Sequence, residues 1–189
     1  MKKGLLIVLS GPSGVGKGTV RKVLMKDESL NLAYSVSMTT RKPRNGEVDG
    51  EDYFFVTLEK FENNIQSGEL LEYAKFVNNY YGTPKFYVEK LRNEGKNVLL
   101  EIETNGARQV MEQVKNDDRF VSIFLLPPNF KELEDRIRGR QSESEEVIQE
   151  RLNKANKELA LQNLYMYKVT NVTPEQAAEE ISNIIKSSK

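Results

Sequence analysis

Residues 10–19 read Ser-Gly-Pro-Ser-Gly-Val-Gly-Lys-Gly-Thr and follow the apolar run Leu5–Leu9. A buried strand, a glycine-rich turn and the start of a helix are implied. Gly11, Gly14 and Gly16 tolerate backbone angles closed to other residues, so the turn can aim several N–H groups at one phosphate chain. Lys17 adds a mobile positive charge for the outer phosphates. The spacing Gly11-x4-Gly16-Lys17 fits the P-loop pattern in every position but the last: Gly18 stands where Ser or Thr is usual, and the hydroxyl comes one residue later, at Thr19. The segment predicts a nucleoside triphosphate whose phosphates meet Gly11, Pro12, Ser13, Gly14, Val15, Gly16, Lys17, Gly18 and Thr19.

Two other groups carry chemistry. Arg41 and Arg44 flank Pro43, and arginine forks hold phosphate oxygens in pairs. Alone, such a segment is more often a solvated basic loop; beside a P-loop it is a candidate second phosphate site. Glu101 and Glu103 leave the end of a buried strand, and in open α/β sheets ligands gather at the carboxyl ends of strands. Composition narrows the reaction. The chain has no Cys and no His, which removes thiolate zinc sites, cysteine nucleophiles, serine-type triads and nearly all transition-metal chemistry. Phosphoryl transfer survives, since it works by positioning and charge neutralisation.

The elements that must position these residues are legible in outline. Besides Leu5–Leu9, apolar runs at Tyr34–Ser37, Asn97–Ile102, Phe120–Leu126 and Tyr167–Asn171 predict strands, and those at 98–100 and 123–126 are continuous, as in buried parallel sheets. Helical spacing over Thr19–Lys26, Gly106–Lys115, Phe130–Arg140, Glu145–Leu164 and Pro174–Lys186 separates them. Alternation of this kind predicts an α/β fold with helices on both faces of a parallel sheet. Residues 41–83 break the pattern with glycines, aromatics and short extended pieces near Tyr53–Val56 and Leu70–Phe76, plus one helix at Leu58–Ser67. They predict an inserted, strand-rich lobe. The charge-dense stretch 136–151 suits an exposed, mobile cover. The 189 residues suit one domain, and the 28 basic and 28 acidic residues balance, so no bulk field draws the chain to nucleic acid or to an anionic membrane. No apolar stretch is long enough to span a bilayer, and Leu5–Leu9 is too short for a signal peptide. A cytoplasmic protein without a nucleic-acid or membrane partner is expected.

Taken in order, Gly11–Thr19, Ser35-Val-Ser-Met-Thr-Thr-Arg-Lys-Pro-Arg44, Gly46-Glu-Val-Asp-Gly-Glu-Asp-Tyr-Phe-Phe55, Asn78-Asn-Tyr-Tyr-Gly-Thr83, Leu100-Glu-Ile-Glu103 and Arg136-Ile-Arg-Gly-Arg140 resemble guanylate kinases of the bacterial type, within the nucleoside monophosphate kinases. The resemblance covers nearly the whole chain. It implies a three-layer P-loop NTPase fold: a five-stranded parallel core sheet flanked by helices, a strand-rich GMP-binding lobe and a helical lid. The corresponding division of a 3–186 domain is core 3–34, 84–126 and 165–186, lobe 35–83 and lid 127–164. The implied reaction moves the terminal phosphoryl group of ATP to GMP with Mg2+, giving ADP and GDP, in purine nucleotide metabolism and GMP recycling.

By the same resemblance Arg41 and Arg44 grip the GMP phosphate, with the hydroxyls of Tyr53 and Tyr81, while Ser37, Glu72, Thr83 and Glu103 read guanine. Lys17, Arg41 and the lid arginines Arg136, Arg140 and Arg151 are the implied catalytic set; the metal ligands are not implied residue by residue. A carboxylate can accept from guanine N1–H and N2–H together, and a hydroxyl can donate to O6; adenine would leave both unpaired. The chain departs from the family pattern at Glu101 and Glu103, where Asp is common, at Thr104-Asn105-Gly106, where a Gln-Gly pairing is more usual, and at Gln141, where Gly is usual. Two alternatives are a guanylate-kinase-like protein-binding module and a kinase for another nucleoside monophosphate. Retention of Lys17, both lobe arginines and the lid arginines argues against the first, and the guanine-reading set against the second.

Overall fold

The computed structural model describes residues 2–76, 78–139 and 144–188. Five strands form one fully parallel sheet: β1 (Leu6–Ser10), β2 (Leu32–Tyr34), β7 (Asn97–Glu101), β8 (Phe120–Leu126) and β9 (Tyr167–Thr170), in the order β2-β7-β1-β8-β9. Strand β1 lies in the middle because it is apolar on both sides. Leu5, Ile7 and Leu9 enter one core with Leu99, Ile123 and Leu125, while Leu6 and Val8 enter another with Val98, Leu100 and Phe124. Successive side chains of a strand point to opposite faces, so an unbroken apolar run feeds two cores at once. The first core is covered by α1 (Lys17–Leu24), α5 (Phe130–Arg138), α6 (Glu145–Leu159) and α7 (Pro174–Ser187), the second by α3 (Lys85–Asn93) and α4 (Thr104–Gln113). The expected three-layer α/β architecture is present.

A second sheet, ordered β4-β3-β6-β5, is built from β3 (Met38–Thr39), β4 (Phe54–Phe55), β5 (Leu70–Phe76) and β6 (Asn79–Pro84). It has a small core of its own, Met38, Phe61 and Leu70, with Phe61 supplied by α2 (Leu58–Gln66). Antiparallel β5 and β6 carry Glu72 opposite Thr83, a register that turns two residues eleven apart into a contacting pair. Helix α4 packs on β5, with the Gln109 side chain hydrogen-bonded to both Tyr73 N–H and Tyr73 carbonyl. This contact places the second sheet against the carboxyl end of the first.

Three expectations are corrected. The second core strand is Leu32–Tyr34, not 34–37: Asn31 adopts left-handed angles (φ 48°), which turns the chain into the sheet earlier. The helix expected over 145–164 ends at Leu159, followed by a separate 3-10 turn at Gln162–Leu164. Helix α3 went unread, because only Val88 and Leu91 mark its apolar side while its third buried residue is Arg92, held by Asp117 and Glu89. Among the described residues no helix is long and apolar enough to cross a membrane.

Candidate active site

The loop between β1 and α1 is shaped by its glycines. Gly14 (φ 85°) and Gly16 (φ 97°) take left-handed angles, and a Cβ on Gly16 would stand 2.8 Å from Asn171 Nδ2. From behind, Val15 carbonyl accepts from Asn171 Nδ2 (2.8 Å) and from Arg136 Nη1 (3.1 Å). With that carbonyl tied back, the loop and the start of α1 present their N–H groups to the cleft, where the partial positive charge of the helix terminus also points. Lys17 Nζ donates to the carbonyls of Gly11 (2.8 Å) and Pro12 (3.2 Å), folding its charge over the loop. Burial lowers its pKa, opposed by Glu158, Glu101 and Glu103. The cleft is about 490 Å3 and is lined by Ser13, Gly14, Gly16, Lys17, Gly18 and Thr19 together with Glu101, Ile102, Glu103 and Glu158. Gly11, Pro12 and Val15 are buried beneath it.

A second cleft of about 500 Å3 adjoins the first and shares Ile102 and Glu103 with it. Ser37, Tyr53, Glu72, Tyr81 and Gly106 line it. Glu72 is 8% exposed, accepts the Thr83 hydroxyl at 2.6 Å, and has its pKa raised by burial. Its other oxygen faces bare helix backbone: a Cβ on Gly106 would lie 2.8 Å from Glu72 Oε2. A carboxylate so confined offers its lone pairs in one direction, toward a planar ligand carrying adjacent donors. Glu103 is exposed and pairs with Lys154 at 3.0 Å.

Arg41 lies at the edge of this second cleft, its guanidinium 5.3 Å from the Tyr53 ring centre. Glu47 grips it bidentately (2.8 and 2.9 Å) and also accepts the Arg44 N–H (2.7 Å). The Arg41 hydrogen bonds, and then that N–H, hold the Glu47 carboxyl at about 2. Glu47 thus occupies the Arg41 fork in this structure. Arg44 is exposed on the same turn, and Tyr53 and Tyr81 meet edge to face at 6.0 Å.

Arg136 and Arg151 reach the loop between β1 and α1. Arg136 Nη2 donates to Asn171 carbonyl (3.3 Å), in addition to its bond to Val15, and Arg151 Nη2 donates to Ser13 Oγ (3.4 Å). Arg140 lies outside the described residues, as does Gln141. Three residues beside the loop went unread from the sequence: Asn171, Lys154 and Glu158. Asn171 follows β9 at its carboxyl end, where ligand-facing groups collect. Residues 151, 154 and 158 share one face of α6 by their spacing, and that spacing was the available signal.

The guanylate kinase profile matches residues 3–188. A guanylate kinase of Mesoplasma florum is 54% identical over 183 residues, 97% of this chain and 61% of that protein. One from Lactococcus lactis is 53% identical over 186 residues, 98% of this chain and 89% of the relative. The crystal structure of guanylate kinase from Anaplasma phagocytophilum superposes with a TM-score of 0.72 at 35% identity, over 98% of this chain and 86% of that one. The chain spans about 61% of the length of the Mesoplasma and Mycoplasma mycoides relatives it matches. With profile, sequence and backbone in agreement from one end of the described fold to the other, the chain belongs to the guanylate kinase family.

Proposed function

We propose that this chain transfers the terminal phosphoryl group of ATP to GMP, with the division into core, GMP lobe (35–83) and lid (127–164) that the family resemblance implies. The observation that carries the proposal is the junction of two clefts at Ile102 and Glu103, one walled by the phosphate loop and the other by a buried carboxylate–hydroxyl pair. The first takes the ATP phosphates on the loop N–H groups and Lys17. In the second, Glu72 accepts guanine N1–H and N2–H, Ser37 is placed to donate to O6, and the Thr83 hydroxyl, whose one proton goes to Glu72, orients that carboxylate. Arg41 and Arg44 exchange Glu47 for the GMP phosphate, and the Tyr53 and Tyr81 hydroxyls complete the grip. Phosphate attached to guanosine then enters the junction from one side and the ATP terminus from the other, as in-line transfer requires.

Charge neutralisation falls to Lys17, Arg136, Arg151 and Arg140. Arg136 and Arg151 already sit against the loop through Val15 and Ser13, so a short swing brings each guanidinium to a phosphoryl group in flight. A magnesium ion fits the donor cleft. Glu101 Oε1 lies 3.5 Å from where a Cβ on Gly18 would stand, leaving a hard oxygen donor at the helix start beside the Thr19 hydroxyl; Mg2+ takes one or two such protein ligands and completes its shell with phosphate and water. When bound it neutralises phosphate charge. Incubation of the chain with ATP, Mg2+ and GMP, with chromatographic identification of products, tests the proposal: equal amounts of ADP and GDP are expected, and ADP without GDP would refute it.

A further inference from the structure

The turn of Arg41 and Arg44 converges three donors on one anion. Arg41 Nη1 and Nη2 donate to the two oxygens of Glu47 at 2.9 and 2.8 Å, and the Arg44 N–H donates to Oε2 at 2.7 Å. A guanidinium fork with a backbone N–H suits any oxyanion, phosphate as well as carboxylate. The turn itself delivers the carboxylate. Gly46 takes left-handed angles (φ 90°), and the Glu47 N–H closes back on the Arg44 carbonyl at 3.1 Å. The Arg41 and Glu47 side chains are 15% and 20% exposed, so the pair is mostly covered, unlike an ordinary surface bridge. Arg41 does not depend on Glu47 for its place. Its own N–H donates to Thr39 Oγ1 at 3.1 Å, and Nη1 also donates to the Lys42 carbonyl at 2.9 Å. The guanidinium lies 5.3 and 5.7 Å from the Tyr53 and Phe55 ring centres. With the carboxylate removed, the fork would stay where it is, its charge uncompensated.

We propose that Glu47 is a selectivity residue of the acceptor site: it holds the phosphate's place on the Arg41 fork, so that free oxyanions are kept out and only a phosphate attached to a nucleoside displaces it. The inference rests on reading Arg41 and Arg44 as the grip on the acceptor phosphate. Specificity of this kind comes from disfavouring the wrong ligand as much as from favouring the right one. Glu47 is tethered three residues from Arg44, and a tethered competitor acts at an effective concentration of about a millimolar or more. Inorganic phosphate or sulfate has no other contact to offer and must outcompete the carboxylate at that level. A nucleoside monophosphate brings its base as well. The base contacts, at Glu72 and Ser37 in the second cleft, add to the phosphate's side of the exchange and not to the side of Glu47. Recognition of the base thereby becomes a condition for seating the phosphate.

The test is inhibition of GMP turnover by inorganic phosphate on the wild type, Glu47→Gln and Glu47→Asp. GMP is varied, ATP and Mg2+ are saturating so that the donor cleft is filled, and ionic strength is held with chloride. In Glu47→Gln the amide oxygen still accepts from the Arg44 N–H, but the anion on the fork is gone. Phosphate should then compete with GMP about tenfold more strongly than in the wild type, since charge-assisted hydrogen bonds are freed for it. Glu47→Asp keeps the charge but draws it back from the fork by a methylene. It should fall between the two, and it carries the test if the Gln variant does not fold. Inhibition that is unchanged or weaker in the folded variants overturns the proposal, because loss of a carboxylate that only staples the turn would weaken phosphate and GMP together. Inhibition that is not competitive with GMP overturns it too, as does a folded Gln variant that no longer turns over GMP. A wild type that does not phosphorylate GMP overturns instead the reading of the acceptor site on which the proposal stands.

Discussion

Gly106 is the third residue of α4, and Glu72 closes against it. A methyl group there would stand 2.8 Å from Glu72 Oε2 and 3.3 Å from its carboxyl carbon, about 0.6 Å inside ordinary contact at 3.4 Å. The helix backbone cannot retreat, since α4 is packed on β5 and its core residues Ala107 and Val110 are fully buried. Gly106→Ala must therefore push the carboxylate out of its direction and loosen the Thr83 hydroxyl at 2.6 Å. The paired acceptance of guanine N1–H and N2–H is lost in part. Hydrogen bonds to a charged group are worth about 1.5–3 kcal/mol, so the KM for GMP rises roughly 10- to 100-fold. The ATP cleft does not touch Gly106, and the KM for ATP should hold. Stability moves differently: alanine gains up to ~1 kcal/mol of helix propensity over glycine, against a similar loss at the Thr83 bond, so thermal unfolding stays within about 1 kcal/mol of wild type. Steady-state kinetics with each substrate varied, alongside thermal denaturation, decide the matter. An unchanged KM for GMP in a folded variant would mean that Glu72 does not read the acceptor base.

Lys17→Ala should lower turnover by about 10²–10³ while circular dichroism stays native, as expected for loss of one preorganised charge; near-normal turnover would remove the loop from the chemistry. Arg44→Ala should raise the KM for GMP by about tenfold or more and leave that for ATP in place, and equal weakening of both would deny a dedicated acceptor-phosphate grip. For Glu72 the pKa is raised on folding by burial, so the ionised carboxylate destabilises the free protein. That penalty is absent below the unfolded value of 4.5 and grows as the pH rises through the folded one. Glu72→Gln should accordingly unfold at a higher temperature than wild type at pH 8, lose that advantage near pH 4, and show a smaller preference for GMP over IMP; a variant less stable than wild type at pH 8 contradicts the buried-charge account.

The phosphate loop and the central sheet were legible because their signals are local: glycine spacing between Gly11 and Gly16, and apolar runs that fill both faces of β1 and β8. The turn of Arg41 and Arg44 drew notice only in company, since the two arginines alone suit a solvated loop. What the sequence hid is burial of charge. Glu158 stands in a charge-rich helix, and nothing in the order of residues says that its carboxylate meets a backbone N–H 145 positions away. Arg92 hides α3 in the same way. Glu72 reads in isolation as an ordinary strand carboxylate; the register of β5 with β6 and the missing side chain at Gly106 are what enclose it, and both are tertiary facts.

Selectivity for the acceptor base tests the central claim most directly. With ATP and Mg2+ held saturating, kcat/KM is measured for GMP and for AMP on the same preparation. A site built around a buried carboxylate and hydroxyl that need guanine donors and O6 should favour GMP by about 10⁴ or more, since adenine leaves those groups unpaired. Comparable values for GMP and AMP would contradict the assignment of Glu72 and Thr83, and with it the reading of the second cleft as a guanine site.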